Sequence, residues 1–102
     1  MITLNTLKSL ADGDGLTLKN WNPIRYRSGW QVATEGLETS DPTAALDMIA
    51  AYNGTCGIWY EGGTYYVDKS HRENTKARAL QVGREHNQIS IYGWKTGRLA
   101  YC

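Results

Sequence analysis

Two stretches of equal length constrain the fold of this chain more than any other feature of its sequence. Residues 29–63 and 63–97 each contain a segment rich in aromatic and β-branched residues, then a helical segment, then a second strand-like segment. Aligned without gaps, the two stretches share only five residues, so the common strand–helix–strand pattern indicates duplication better than identity does. Two such units in succession form a split βαβ sheet.

Both helical segments carry end signals. In SDPTAALDMIAAYNG (40–54), we expect Asp41 to cap the helix, Pro42 to begin it and Asn53-Gly54 to end it. Its predicted buried residues are Ala45, Leu46 and Ile49. In ENTKARALQVGREHNQ (73–88), we expect Asn74 to cap and Gly83, on the inner face with Ala79 and Leu80, to let a neighbouring element approach closely.

Four segments are predicted as strands: WQVAT from 30, CGIWYE from 56, TYYVDK from 64 and QISIYGW from 88. Glu61-Gly62-Gly63 predicts a tight turn between the second and the third. PIRYRSGWQV (23–32) and YGWKTGRLAYC (92–102) predict further hairpins, and TLNTLKSLAD (3–12) predicts a short helix whose leucines cover part of the sheet.

These elements predict a single compact α+β domain with two βαβ units in one mainly antiparallel, ferredoxin-like βαββαβ sheet. The helices would cover one face, and extra strands or hairpins would lie at the termini. Residues 1–28 would form an N-terminal helix and hairpin segment, and residues 29–102 the tandem βαβ core. At 102 residues, of which 41% are apolar, the chain has the size of one such core.

Several functional classes lack support in the sequence. There is no run of about 20 apolar residues and no signal-peptide pattern, so we expect a cytoplasmic protein without a membrane partner. Cys56 and Cys102 are far apart and are expected to be free thiols. The histidines and cysteines lack the close pairs of a zinc site, and the glycines form no nucleotide-binding motif. We therefore assign no metal, no cofactor and no catalytic residue.

The charge is unevenly distributed. Residues 29–63 contain five acidic residues and no Lys or Arg, whereas the segments on either side are basic. One interpretation is that acidic and basic helices pack together, so that the attraction is internal. The other is that an acidic surface binds a basic partner. The candidate protein-interface residues are Glu35, Glu38, Asp41, Asp47, Trp59 and Tyr60.

Strand alternation places Val32, Ile58, Val67 and Ile91 on the face that the helices cover. The opposite face would then carry Gln31, Trp59, Tyr66 and Tyr92. Such a row can stack unpaired bases, form a second core layer beneath the N-terminal segment, or make a protein interface, including one between two copies of the chain. The candidate nucleic-acid residues are Tyr66, Tyr92, Lys69, Arg72, Lys76 and Arg84.

The leading hypothesis is a small non-catalytic binding or regulatory protein that docks on a macromolecule, most of all on a protein. Its size and its lack of catalytic motifs suggest a phage or mobile-element accessory protein that inhibits a nucleic-acid-handling host enzyme, such as a defence nuclease. The alternatives are a single-stranded nucleic-acid-binding module and a minor hydrolytic enzyme built on the polar run from Asp68 to Glu73 with His86.

Overall fold

The computed structural model describes residues 1–52 and 55–102, in which three helices and seven strands form. In chain order these are α1 (Leu4–Lys8), β1 (Gly15–Lys19), β2 (Asn22–Pro23), β3 (Trp30–Thr39), α2 (Pro42–Ala51), β4 (Thr55–Glu61), β5 (Thr64–Glu73), α3 (Lys76–Glu85), β6 (Ser90–Gly93) and β7 (Arg98–Tyr101). The strand order is β2-β1-β4-β5-β3-β6-β7. The predicted α+β class with an antiparallel sheet is confirmed, and the seven strands leave the narrower βαββαβ topology unconfirmed.

The repeated pattern in the sequence corresponds to repeated elements in the structure. Strands β3 and β5 are both 10 residues long and begin 34 residues apart. Helices α2 and α3 are also both 10 residues long and also begin 34 residues apart. Both strands are longer than predicted, because charged and polar residues continue each strand past its apolar segment.

The helix ends follow local capping chemistry. Asp41 caps α2 as predicted, since its Oδ1 accepts a hydrogen bond from the backbone N–H of Thr43 at 2.9 Å. The predicted stop at Asn53-Gly54 lies outside the described residues. The prediction that Asn74 caps α3 is wrong, because Thr75 takes that position and accepts from the backbone N–H of Arg78 at 3.2 Å.

The N-terminal strands differ most from the prediction. Strand β1 was not predicted, and it forms a hairpin with β2 in which Leu18 pairs with Pro23. The turn between them uses Asn20 and Trp21 at φ values of 50° and 71°, so no glycine marks it in the sequence. The hairpin predicted over residues 23–32 is wrong, because Pro23 belongs to β2 and residues 24–29 form a loop. The hairpins at Gly62-Gly63 and around Gly97 form as predicted.

Contacts along the backbone divide the chain into two units. The first unit comprises residues 1–24 and 36–69, and the second comprises residues 25–35 and 70–102. The predicted boundary after residue 28 is not tested by this division and stays a prediction.

In the first unit, the core lies where α1, α2, β1, β4 and β5 pack together. Leu7 and Leu18 are fully buried there, and the Tyr65 hydroxyl donates to the backbone oxygen of Leu7 at 2.9 Å. Helix α1 contacts α2, so Leu7 joins the helix-covered side of the strands. As predicted, Ile58 and Val67 face this core, being 3% and 1% exposed.

In the second unit, Val32, Ala79, Val82 and Ile91 form a separate buried cluster between α3 and the strands. The predicted close approach at Gly83 is present, because a Cβ there would lie 2.6 Å from the Sγ atom of Cys102. Val32 and Ile91 face the helix as predicted.

Candidate functional site

An exposed aromatic pair lies on the side of the first unit that no helix covers. Trp59 in β4 is paired with Tyr66 in β5, and the two side chains are 49% and 43% exposed. On its other side Trp59 pairs with Gly15, where a Cβ would lie 3.8 Å from the indole ring. The pair is therefore not a second core layer beneath the N-terminal segment.

Acidic and aliphatic side chains surround this pair. The indole N–H of Trp59 donates to Oε2 of Glu61 at 3.3 Å. Beside Tyr66, an open pocket of about 410 Å³ is lined by Gly36, Leu37, Glu38, Tyr66, Val67 and Asp68. Leu37 is 58% exposed. We call Leu37, Glu38, Trp59, Glu61, Tyr66 and Asp68 the acidic–aromatic patch.

Asp68 is the carboxylate of the patch that packs against Gly57. Burial raises the pKa of its side chain, and a hydrogen bond from the backbone of Gly57 lowers that pKa in part. Gly57 pairs with Asp68, and a Cβ there would lie 2.9 Å from Asp68 Oδ1, so only glycine leaves room for the carboxylate.

The two units carry opposite charge. The first contains three Lys or Arg and seven Asp or Glu, which gives a formal charge of −4. The second contains eight Lys or Arg and three Glu, which gives +5. The asymmetry seen along the sequence is therefore also an asymmetry between compact units.

In the second unit, Arg72 holds the loop at residues 25–29. Its Nε donates to the backbone oxygen of Ser28 at 2.8 Å and its NH2 donates to the Ser28 hydroxyl at 3.1 Å. Its NH1 donates to Asn74 Oδ1 at 2.6 Å, and the guanidinium carbon lies 5.4 Å from the centre of the Tyr26 ring. Arg72 therefore acts as a clamp on this loop.

Three aromatic rings pack edge to face beside the same loop. The ring centres of Tyr26 and Trp94 are 5.5 Å apart, and those of Tyr92 and Trp94 are 5.1 Å apart. Gln31 fixes the indole, because its Oε1 accepts from Trp94 Nε1 at 3.0 Å while its Nε2 donates to Ser70 Oγ at 2.9 Å. These contacts order the open side of β3 and β6.

The structure does not gather the predicted protein-interface residues. Asp41 and Asp47 lie on α2, which packs on the core, whereas Trp59 points away from that core. Tyr60 stacks on Tyr65 at 4.7 Å and packs against the core. Glu38 lies beside Tyr66, and Glu35 belongs to the second unit. Strand alternation places Trp59 and Tyr60 on opposite faces of β4. Glu61 was missed, although its position two residues after Trp59 indicates that both side chains lie on the same face.

The predicted nucleic-acid residues are also dispersed. Tyr66 and Lys69 belong to the first unit, and Lys69 pairs with the buried Cys56, on the side opposite Tyr66. In the second unit, Tyr92 and Arg72 both contact the aromatic cluster.

The other two predicted cations of the second unit lie on α3. Lys76 Nζ lies 5.6 Å from the Trp30 ring, and Arg84 Nε donates to the Cys102 backbone oxygen at 3.3 Å. Tyr26, Trp94, Arg25 and Arg27 were missed, because contacts between residues distant in sequence place the loop beside the strands.

The polar run considered for hydrolysis is part of strand β5 rather than a loop. His71 Nε2 lies 3.6 Å from Glu73 Oε1, and three N–H groups of Arg72 are already hydrogen-bonded. Within residues 1–52 and 55–102, no three His, Cys, Asp or Glu side chains are close enough to hold a metal ion. Cys56 and Cys102 are free, and burial followed by the nearby Asp68 raises the pKa of Cys56 to about 11.

Comparisons with known protein families, with curated proteins and with solved structures find no match to this chain. In the part of the chain that the structure describes, no helix combines the length and apolar character that a membrane crossing requires.

Proposed function

We propose that this is a non-catalytic docking protein that binds a basic surface of a protein partner through the acidic–aromatic patch. The observation that carries the proposal is the exposure of Trp59, Tyr66 and Leu37 side by side in a unit of charge −4. Exposed apolar groups in one contiguous area mark interaction sites, and Trp and Tyr are the residues most enriched in binding hot spots.

The chemistry of the patch favours a cationic protein over a nucleic acid. Glu38, Glu61 and Asp68 would repel phosphate, whereas they complement Lys and Arg side chains. The pocket beside Tyr66 can receive a guanidinium, with carboxylates as hydrogen-bond acceptors and an aromatic ring for a cation–π contact. The central apolar pair and its acidic rim correspond to the usual anatomy of an interface.

A partner that handles nucleic acid fits this chemistry, because its substrate groove is basic. Blocking such a groove requires only a complementary acidic surface and no catalytic group. These considerations support the narrower proposal of a phage or mobile-element accessory protein that inhibits a cytoplasmic host enzyme, such as a defence nuclease.

The finer fold assignment is also a proposal. The four inner strands lie in the order β4-β5-β3-β6, which is the neighbour order of a split βαβ, ferredoxin-like core when the outer strands are set aside. That order supports a ferredoxin-like core with strands added at both ends.

The test is a pull-down from nuclease-treated lysate of the native cell, followed by activity assays on the retained enzyme. We expect Trp59→Ala and Glu61→Lys to abolish retention and inhibition. Asp47→Lys makes the same charge change on α2, outside the patch, and should leave both intact. If Asp47→Lys abolished retention and inhibition to the same extent, the effect would depend on net charge rather than on the patch. Full retention of the partner by Trp59→Ala would refute the proposal.

A further inference from the structure

The second unit has exposed cations in the loop and the turn that carry its aromatic cluster, and the backbone of that loop is held in place. The backbone N–H of Trp94 donates to the Gly29 oxygen at 3.0 Å, which ties the loop at residues 25–29 to the start of the β6–β7 turn. Arg72 and the Tyr26–Trp94 ring contact fasten the same loop at two further points. Arg25 and Arg27, which flank Tyr26, are exposed, and so is Lys95 in the turn.

The same side of this unit continues across the β6–β7 hairpin. Tyr92 pairs with Leu99 and Ser90 pairs with Tyr101, whereas the intervening Ile91 is 1% exposed and faces the core. Strand alternation therefore places Leu99 and Tyr101 on the side of Tyr92. They are 57% and 73% exposed, so the open side ends in a solvent-facing phenol ring.

We propose that this surface binds single-stranded nucleic acid. Its members are Tyr26, Tyr92, Trp94 and Tyr101 with the cations Arg25, Arg27 and Lys95, which we call the basic–aromatic face. Unpaired bases stack on aromatic rings while Lys and Arg neutralise phosphates, and a unit of charge +5 attracts a polyanion. Bases paired in a duplex are already stacked on one another and do not offer their ring faces to these side chains.

This site is independent of the acidic–aromatic patch. It shares no residue with the patch and has the opposite charge, so it binds a different class of ligand. Arg72 is a positioning residue here, since three of its N–H groups hold Ser28 and Asn74. The phosphate contacts belong to the loop and turn cations.

Fluorescence anisotropy with a labelled oligothymidylate of about 12 nucleotides tests the proposal at about 50 and 200 mM salt. The variant Arg25→Glu/Arg27→Glu should weaken binding about tenfold or more at the lower salt and reduce the salt slope by about 1.4, the value for two single-strand phosphate contacts. Tyr101→Ala should weaken binding at both salt concentrations without changing the slope, because it removes stacking rather than charge.

Two controls decide the interpretation. Lys8→Glu/Lys19→Glu makes the same charge change in the first unit, and we expect less than about a twofold effect. Duplex DNA and polyglutamate should each compete much less well than unlabelled oligothymidylate. Absence of binding at the lower salt, equal loss in the Lys8/Lys19 variant, or equal competition by duplex DNA or polyglutamate would overturn the proposal. None of these results would affect protein docking at Trp59.

Discussion

Replacing Arg72 with alanine should loosen the loop at residues 25–29 and destabilise the protein. The substitution removes three hydrogen bonds, at 2.8, 3.1 and 2.6 Å, and a cation–π contact at 5.4 Å. A hydrogen bond to a fully buried charged group contributes about 1.5–3 kcal/mol. The Arg72 guanidinium is only half-buried and water competes for it, so each of its hydrogen bonds contributes about 0.5–1 kcal/mol. With about 0.5 kcal/mol for the cation–π contact, the expected loss is about 2–3.5 kcal/mol.

Urea unfolding measures the global effect, and amide hydrogen exchange measures the local one. The Trp94 amide is the reporter, since its hydrogen bond to Gly29 closes the loop. Its exchange should be faster in Arg72→Ala. In the wild type, opening of the loop must break the Arg72 hydrogen bonds, and without them the free energy of loop opening is lower. Arg72→Lys keeps the positive charge but lacks the several N–H donors of the planar guanidinium. We therefore expect it to lose about half as much unfolding free energy as Arg72→Ala.

Arg78→Ala is the matched control, since Arg78 is exposed on α3. It should change the unfolding free energy by no more than about 0.5 kcal/mol. If Arg72→Ala fell within that same range and left Trp94 exchange unchanged, the clamp assigned to Arg72 would be wrong.

Three further changes test the packing of the two units. Tyr65→Phe should reduce the unfolding free energy by about 1 kcal/mol in urea titrations. It removes the 2.9 Å donor of the buried Leu7 oxygen and leaves that oxygen only the 3.3 Å bond from the backbone N–H of Leu10, so no change would mean that the Tyr65 hydrogen bond does not contribute to stability. Burial raises the native pKa of Asp68 above its unfolded value, so its ionisation lowers stability as pH rises through that interval. Asp68→Asn should therefore be more stable than wild type at pH 7, and melting curves should show the difference shrinking towards pH 3.8 rather than growing. Gly83→Ala should be destabilising by about 1 kcal/mol in the wild type, because the new Cβ lies 2.6 Å from the Sγ atom of Cys102. In a Cys102→Ala background the same change should be stabilising, since alanine favours the helix more than glycine does. If Gly83→Ala had the same effect in both backgrounds, steric conflict with Cys102 would not be its cause.

Local sequence signals predicted the repeated elements well. Asp41-Pro42 begins α2, Gly62-Gly63 turns β4 into β5, and the apolar positions at Val32 and Val67 face their cores. Each of these features depends on residues a few positions apart, whose capping, turn or alternation chemistry acts within one element. The β1–β2 hairpin escaped prediction because Asn20 and Trp21 take positive φ values without glycine.

The surfaces could be predicted only in part, because they depend on register. Alternation indicated that Trp59 and Tyr66 share a face, and the structure pairs them directly. Leu37 lines one pocket with Tyr66 because β3 and β5 are neighbours in the sheet. Tyr26 meets Trp94 because Arg72 holds a loop that the sequence pattern assigned to a hairpin. Such contacts join residues distant in sequence, so they produce no periodic pattern from which they could be predicted.

Composition alone would have misassigned the aromatic residues. Tyr65 and Tyr66 are neighbours in β5, yet Tyr65 is 5% exposed and hydrogen-bonded in the core while Tyr66 is 43% exposed. Net charge misleads in the same way, since +1 for the whole chain conceals −4 and +5 in its two units. A substitution at Tyr66 therefore tests recognition, whereas the same substitution at Tyr65 tests folding. That contrast between adjacent, chemically identical side chains separates loss of a partner from loss of the fold.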